Sequence, residues 1–309
     1  MDMTMKLFSI RHILGAAIAA LALLTGCKDA VHIEPTIDVS AGKDAEFSKF
    51  KVVSYNILEG MKNDKANNYD NFVAWVTEQK PDVLALEECN GFTAEFLADL
   101  ARRWGHEYIA FNSEHKGMYP VALTSKYPVE VVKFMQDAGN HEIYHNAIHA
   151  KVKGVNVVVL HLYPFSKYPN SSSAEVGSGE EYRVREMNYI LDNTIRKYPT
   201  EPYWLMIGDF NSYSPLDKDQ FGNDKYYDVH SLVLKNGYYD AVRERHNHFI
   251  NSTANSRLDF IYCSQSILRN MTEAEIIKDD FTTMKVPVGE SGKEQISDHF
   301  PVTVTFRYN

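Results

Sequence analysis

The 309-residue chain has only three cysteines, no Cys-x-x-Cys pair and no surplus of basic residues. The first two absences exclude a disulfide-stapled scaffold and a thiolate zinc site. The third, a formal net charge of −9, disfavours tight sequence-independent binding to nucleic acid, which rests on many Lys and Arg contacts to phosphates. A phosphate substrate stays open, because a bound divalent cation inverts the local sign. There is no internal repeat, and no linker-like stretch after residue 46 is long enough to split the chain. A hydrophobic content of 44% and a charged content of 24% are those of an ordinary globular protein.

The N-terminus differs from the rest. Lys6 and Arg11 precede an apolar stretch over residues 13–24, too short to cross a bilayer comfortably. A basic start, a short apolar run and small residues form an export signal. Leu24-Thr25-Gly26-Cys27 resembles a bacterial lipobox, which implies cleavage before Cys27 and lipidation of its thiol. The plainer alternative is an ordinary signal peptide with an incidental Cys. Three segments are therefore expected: a lipoprotein signal peptide (1–26), a polar tether (27–46) and one folded domain (47–309). The protein would be exported and membrane-anchored at the bacterial cell envelope, on its periplasmic or surface side. Without residues 1–26 the chain carries 30 basic and 40 acidic residues, a net charge of −10. Cys89 and Cys263 both abut apolar runs and read as buried thiols at least as readily as a disulfide.

The apolar spacing predicts strands over residues 51–57, 83–86, 108–111, 121–124, 129–134, 147–152, 155–162, 203–207, 258–262 and 302–308. Helical spacing marks 69–79, 92–104 and 180–198. Mixed strands and helices with hairpin-like pairs point to an α+β fold of two packed sheets flanked by helices. Polar insertions at 163–179 and 212–227 follow two of the strands and are expected to rim a pocket.

Polar residues interrupt or end the apolar runs at recurring places. Asn56 lies in the first run, and Glu87-Glu88 ends the second. His161 lies in Val157-Val158-Val159-Leu160-His161, Asp209 and Asn211 follow Trp204–Gly208, Asp259 sits in Leu258-Asp259-Phe260-Ile261, and Asp298-His299 precedes the last strand. Each alone reads as a turn residue or a satisfied core polar group. Together at strand ends they read as one site.

These residues carry a resemblance. Ser54-Tyr55-Asn56-Ile57, Pro81-Asp82-Val83-Leu84-Ala85-Leu86-Glu87-Glu88, Gly208-Asp209-Phe210-Asn211, Arg257-Leu258-Asp259-Phe260-Ile261 and Ser297-Asp298-His299-Phe300-Pro301 look like the ordered motifs of the endonuclease/exonuclease/phosphatase superfamily, the DNase I-like fold. The resemblance implies a four-layer α/β/β/α sandwich of two packed mixed β-sheets, and metal-assisted hydrolysis of a phosphodiester or phosphomonoester by in-line attack of water. Mg²⁺ or Mn²⁺ is the implied cofactor. On the metal side stand Glu88 as chief ligand, Asn56 orienting metal or phosphate, and Asp298 supporting the metal. On the catalytic side, Asp209 orients or deprotonates water, Asn211 holds water or phosphate, and Asp259 fixes the tautomer of His299. His299 binds the scissile phosphate or acts as base, and His161 contacts phosphate or the leaving oxygen.

Glu87 stands where the family carries Gln. Tyr163-Pro164-Phe165 departs from the small or acidic residue that often follows the family's mid-chain His. Arg183 is expected to form a structural ion pair. His115, His141, His145 and His149 have no expected role. Tyr163, Phe165, Tyr168, Tyr213, Tyr226 and Tyr227 offer stacking faces to a base, sugar or headgroup, or serve as half-buried loop anchors. A small or lipid-linked phosphate ester is favoured on charge. The alternatives are a secreted nuclease acting on DNA or RNA, and a catalytically silent binding module on the same fold.

Overall fold

A computed structural model describes residues 49–111, 119–137, 142–169, 178–223, 225–288 and 292–308. The signal segment, Cys27 and the tether lie outside these residues, as do His115 and His141. No helix among the described residues is long and apolar enough to cross a membrane.

The strands are β1 (Phe50–Asn56), β2 (Val83–Glu87), β3 (Tyr108–Phe111), β4 (Ala122–Ser125), β5 (Val129–Met135), β6 (Asn146–Val152), β7 (Val155–His161), β8 (Trp204–Asp209), β9 (Tyr239–Asp240), β10 (Asp259–Cys263), β11 (Met271–Ile276), β12 (Lys285–Val288), β13 (Gly292–Gln295) and β14 (Val302–Phe306). One sheet has the order β11-β14-β1-β2-β4-β3 and the other β5-β6-β7-β8-β10-β9, while β12 and β13 form a separate hairpin. The β1–β2 and β7–β8 pairs are parallel and their other neighbours antiparallel.

Strand alternation assigns each side chain to a layer. Val52 of β1, Val157 of β7 and Leu205 of β8 meet in the core between the sheets. Their neighbours Val53 and Tyr55 turn outward onto the helices Asp70–Gln79 and Ala94–Arg103. On the other sheet, Val158, Leu160 and Met206 turn outward onto Gly179–Asn193 and Asp228–Lys235. The result is an α/β/β/α sandwich, and burial on both faces explains why the central strands read as unbroken apolar runs. Cys89 and Cys263 are free, buried thiols in two different clusters.

Some helix starts follow capping residues. Thr93 accepts the Phe96 amide at 3.1 Å, and Ser178 forms a capping box with Glu181. The helix expected to reach residue 198 stops at Asn193 instead. Thr194 leaves helical geometry at φ −125°, ψ −100°, and its hydroxyl donates to the Ile190 carbonyl at 2.7 Å. The strand expected over 302–308 ends at Phe306, and those expected at 203–207 and 258–262 run Trp204–Asp209 and Asp259–Cys263. β9, β11, β12 and β13 escaped the apolar pattern. β11 buries only Ala274 and Ile276 among polar neighbours.

Candidate active site

Two strands of one sheet and three of the other carry polar residues to one edge. β1 and β2 end with Asn56 opposite Glu87, and β7 and β8 end with His161 opposite Asp209. β10 runs the other way and begins with Asp259, also opposite Asp209. β14 opposes β1, with Val302 pairing Ser54, so His299 falls at the same edge. Strand direction alone therefore gathers residues from six segments.

Local backbone geometry aims them. Gly208 has φ +136°, and a Cβ there would sit 1.9 Å from the Leu160 carbonyl oxygen. Only glycine lets β8 lie against β7 just before Asp209. Glu88 and Asn211, the residues that leave β2 and follow β8, have φ +62° and +47°, a region uncommon for side chains with a Cβ.

A hydrogen-bond chain joins the two sheets. Asn56 Nδ2 donates to Glu88 Oε1 and to Asp209 Oδ2, both at 3.1 Å. The Glu59 amide donates to Glu88 Oε2 at 3.0 Å. His299 Nδ1 lies 2.8 Å from Asp259 Oδ2, and the Ser252 hydroxyl donates to that same oxygen at 2.6 Å. His161 Nε2 and His299 Nε2 approach Asp209 Oδ2 at 3.7 Å and 3.9 Å. The Asn211 amide donates to Asp209 Oδ1 at 2.9 Å, and its side chain donates to the Leu162 carbonyl at 3.0 Å. Asp298 is exposed, and its charge reaches both Glu88 and His299.

The charge states follow from burial and neighbours. Burial pushes Asp209 up to about 7, against the pull of His299. Burial disfavours a charged His299, but the Asp259 carboxylate, by charge and hydrogen bond, and Asp209 outweigh it and hold the imidazole well above its ordinary value. His161 is driven the other way, by burial and then by His145 and His299, and stays neutral. Glu87 is fully buried. Burial raises its carboxyl well above the ordinary value, and it accepts a hydrogen bond from Ser54 Oγ at 3.0 Å. It is therefore a neutral acid beside Glu88.

The donor set suits a hard cation. Glu88, Asp209 and Asp259 crowd three carboxyl groups against the single imidazolium of His299, and burial raises Glu88. A divalent ion on Glu88 and Asn56 oxygens would relieve that excess. Asp209, Asp259 and His299 also offer ligand atoms within 4.8 Å of one another. Asp259 Oδ2 and His299 Nδ1 are hydrogen-bonded to each other, which leaves Asp259 Oδ1 and His299 Nε2 as the ligand atoms of that pair.

Some surrounding residues carried no sequence signal. Ser252 lies in a polar loop, yet its hydroxyl also accepts the Leu258 and Asp259 amides at 3.0 and 3.1 Å. His145 is buried and stacks on His161 with ring centroids 4.3 Å apart. His149 is a core residue bonded to Asn156. Ser297 belongs to a quoted motif, and its hydroxyl donates to the Asn56 carbonyl at 2.7 Å. Arg183 is structural, pairing with Glu180 at 3.0 Å and donating to the Tyr163 and Phe165 carbonyls at 2.9 and 3.1 Å. Tyr163, for which a stacking face and a loop anchor were both open, is buried against Tyr144 and Tyr182 and so takes the anchor role. Its apolar neighbours there outcompete solvent.

A two-sheet sandwich with this acid, amide and imidazole edge defines a phosphoric ester hydrolase. Residues 53–299 match the endonuclease/exonuclease/phosphatase family, and the chain belongs to it. The family's enzymes use divalent metals, and this chain is a metal-dependent phosphoesterase or nuclease of that family. Among solved structures, an AP endonuclease from Archaeoglobus fulgidus is similar at 20% identity and a TM-score of 0.64, over 83% of this chain and 99% of that one. A 3′ phosphatase from Neisseria, bound to a product DNA hairpin, is similar at 18% identity and a TM-score of 0.60, over 84% and 100%. A 3′-5′ exonuclease from Neisseria meningitidis is similar at 17% identity and a TM-score of 0.63, over 84% and 100%. No curated protein matches the sequence.

Proposed function

We propose that the protein is an exported, lipid-anchored, Mg²⁺-dependent phosphoesterase acting on a small phosphate ester. The observation that carries this reading is the convergence of Glu88, Asn56, Asp209 and the Asp259–His299 pair at one sheet edge. Glu88 and Asn56, with Asp298 in support, would hold a divalent cation, which when bound would supply charge neutralisation to the phosphate oxygens. His299, kept protonated by Asp259, binds the scissile phosphate. Asp209, raised by burial to about 7, accepts the proton of the attacking water. Asn211 orients that water, and neutral His161 donates a hydrogen bond to phosphate or to the leaving oxygen.

A second reading, a secreted nuclease, draws on the DNA-linked names of the similar structures. The net charge of −10 that follows from the sequence without residues 1–26 weighs against it. The test uses the full chain, stripped of metal and given Mg²⁺, with a panel of phosphomonoesters, phosphodiesters and oligonucleotides. The expected result is Mg²⁺-dependent hydrolysis of a small ester, reduced roughly 10²–10⁴-fold in Asp209→Ala and His299→Ala. Full activity in both variants would sink the assignment, and preferential cleavage of oligonucleotides would favour the nuclease. The anchor is tested separately, since Cys27→Ser should move the protein out of the membrane fraction.

A further inference from the structure

Three large hydrophobic side chains are exposed among the described residues, Phe165 at 53%, Leu216 at 39% and Tyr226 at 61%. Phe165 and Tyr226 line the same hollow, about 390 Å³ in volume, together with Tyr213 and Lys225. Its other lining residues include Asn211 and Leu258. These are neighbours of the reacting centre, since the Asn211 amide bonds Asp209 at 2.9 Å and Leu258 directly precedes Asp259. Apolar side chains left in water and grouped around one hollow mark a binding surface.

We propose that this hollow binds a flat aromatic ring, of nucleobase type, carried by the phosphate ester whose phosphate lies at Asp209 and His299. The inference rests on the phosphoesterase reading and names its substrate class as a single nucleotide unit.

Four observations select that ligand. Three of the polar lining residues are already engaged within the protein. Glu180 accepts from Ser212 at 2.8 and 2.9 Å and from the Val229 amide at 3.1 Å, Arg183 is spent on two carbonyls, and Asn211 Nδ2 on the Leu162 carbonyl. A polyol, which needs many hydrogen-bond partners, finds few; a ring that stacks finds Phe165 and Tyr226. Lys225 Nζ stands 4.8 Å from the Tyr213 ring centroid and offers a donor to the carbonyl or ring-nitrogen rim of a base. The volume lies at the small end of the usual ~300–1,000 Å³ for small-ligand sites, enough for one ring-bearing unit. Beyond Tyr226 and Ser166 the surface continues into a second hollow lined by Glu180, Glu181 and Asp228 with Lys167. That acidic continuation repels a further run of phosphates and argues against a polymer.

Calorimetric titration of the full Asp209→Asn chain with Mg²⁺ tests this without depending on turnover. Adenosine 5′-monophosphate should bind at least about tenfold more tightly than ribose 5-phosphate, the same ester lacking its base. Phe165→Ala and Tyr226→Ala, both at exposed positions, should each remove roughly tenfold of that preference and leave ribose 5-phosphate unchanged. Equal affinity for the two ligands, or no binding of either, overturns the proposal. An equal loss for both ligands in the alanine variants also overturns it, because the hollow would then hold the sugar. Hydrolysis is scored in the separate panel, so loss of the phosphoesterase reading and loss of the ring site give different results.

Discussion

His299 Nδ1 lies 2.8 Å from Asp259 Oδ2, joining residues 40 positions apart. The pair spans the two sheets, with Asp259 at the start of β10 and His299 just ahead of β14. Its partner at that edge is not the adjacent Asp298, which is exposed. Asp259→Asn keeps the shape and removes the charge that favours imidazolium. The expected result is a loss in kcat/KM on the order of 10²-fold or more. In the pH profile of kcat/KM, the limb that reports loss of the His299 proton should move to lower pH. An unmoved limb would show that Asp259 does not set the charge of His299.

Glu87 should behave as the amide it stands in for. Its folded carboxyl titrates well above 4.5 because of burial, so between those values the native state holds a proton that the unfolded chain has lost. Stability from this group is therefore greatest below pH 4.5 and falls as pH rises through the folded value. Glu87→Gln should keep activity within about twofold, since the group stays uncharged, and should be at least as stable as wild type at pH 8. Glu87→Ala, which strands Ser54 Oγ, should cost about 1–3 kcal/mol. Denaturant melts at two pH values, beside activity, separate these outcomes.

Arg257 is fully buried and contacts Asp217 at 2.6 Å and Asp240 at 2.7 Å. Burial works against its charge, and the two carboxylates more than offset that. The trio ties the loop after β8 to β9 and to the segment entering β10. Arg257→Met takes the shared cation from two buried acids, leaving Asp217 only Arg243 at 3.7 Å, and should cost roughly 3–5 kcal/mol in urea unfolding. Adding Asp217→Asn and Asp240→Asn should recover part of that loss. If the triple variant is no more stable than the single one, packing rather than charge explains the effect.

Acid should weaken the fold through two buried histidines that are not part of the hydrolytic site. Burial lowers His106 to about 4 and His230 to about 3. His106 is held by Thr124 and the Pro81 carbonyl, and His230 by Tyr262 and the Ser212 carbonyl. Both are depressed below 6.5, so the unfolded chain takes up protons first. Their contribution is full above pH 6.5 and is lost as pH falls toward the folded values, on the order of 3 kcal/mol each by pH 4. Thermal melts from pH 7 to 4 should show it, with a shallower fall in His230→Phe. An identical slope in that variant would remove His230 from the account.

Much of this was legible in the order of residues. Unbroken apolar runs locate the central strands, because both faces of these strands are buried. Asn56, Glu88, His161, Asp209, Asp259 and His299 stand out as polar breaks in those runs. Edge strands such as β11, with alternate polar residues facing water, carry too weak an apolar signal to be found this way. Ser252 was equally silent, since a serine in a polar loop looks the same whether or not it holds an aspartate.

By itself, the sequence determined which residues bring acid, amide and imidazole chemistry, and that each sits at the end of a strand, because that information is local. Tertiary structure decided which of them meet. Parallel pairing of β1 with β2 and of β7 with β8, and the reversed direction of β10 and β14, brings distant ends to one edge. It also decided their charge states. Burial and proximity make Glu87 a neutral acid, His161 a neutral imidazole and His299 a cation, and these depend on solvent exclusion and distance, which no single residue carries.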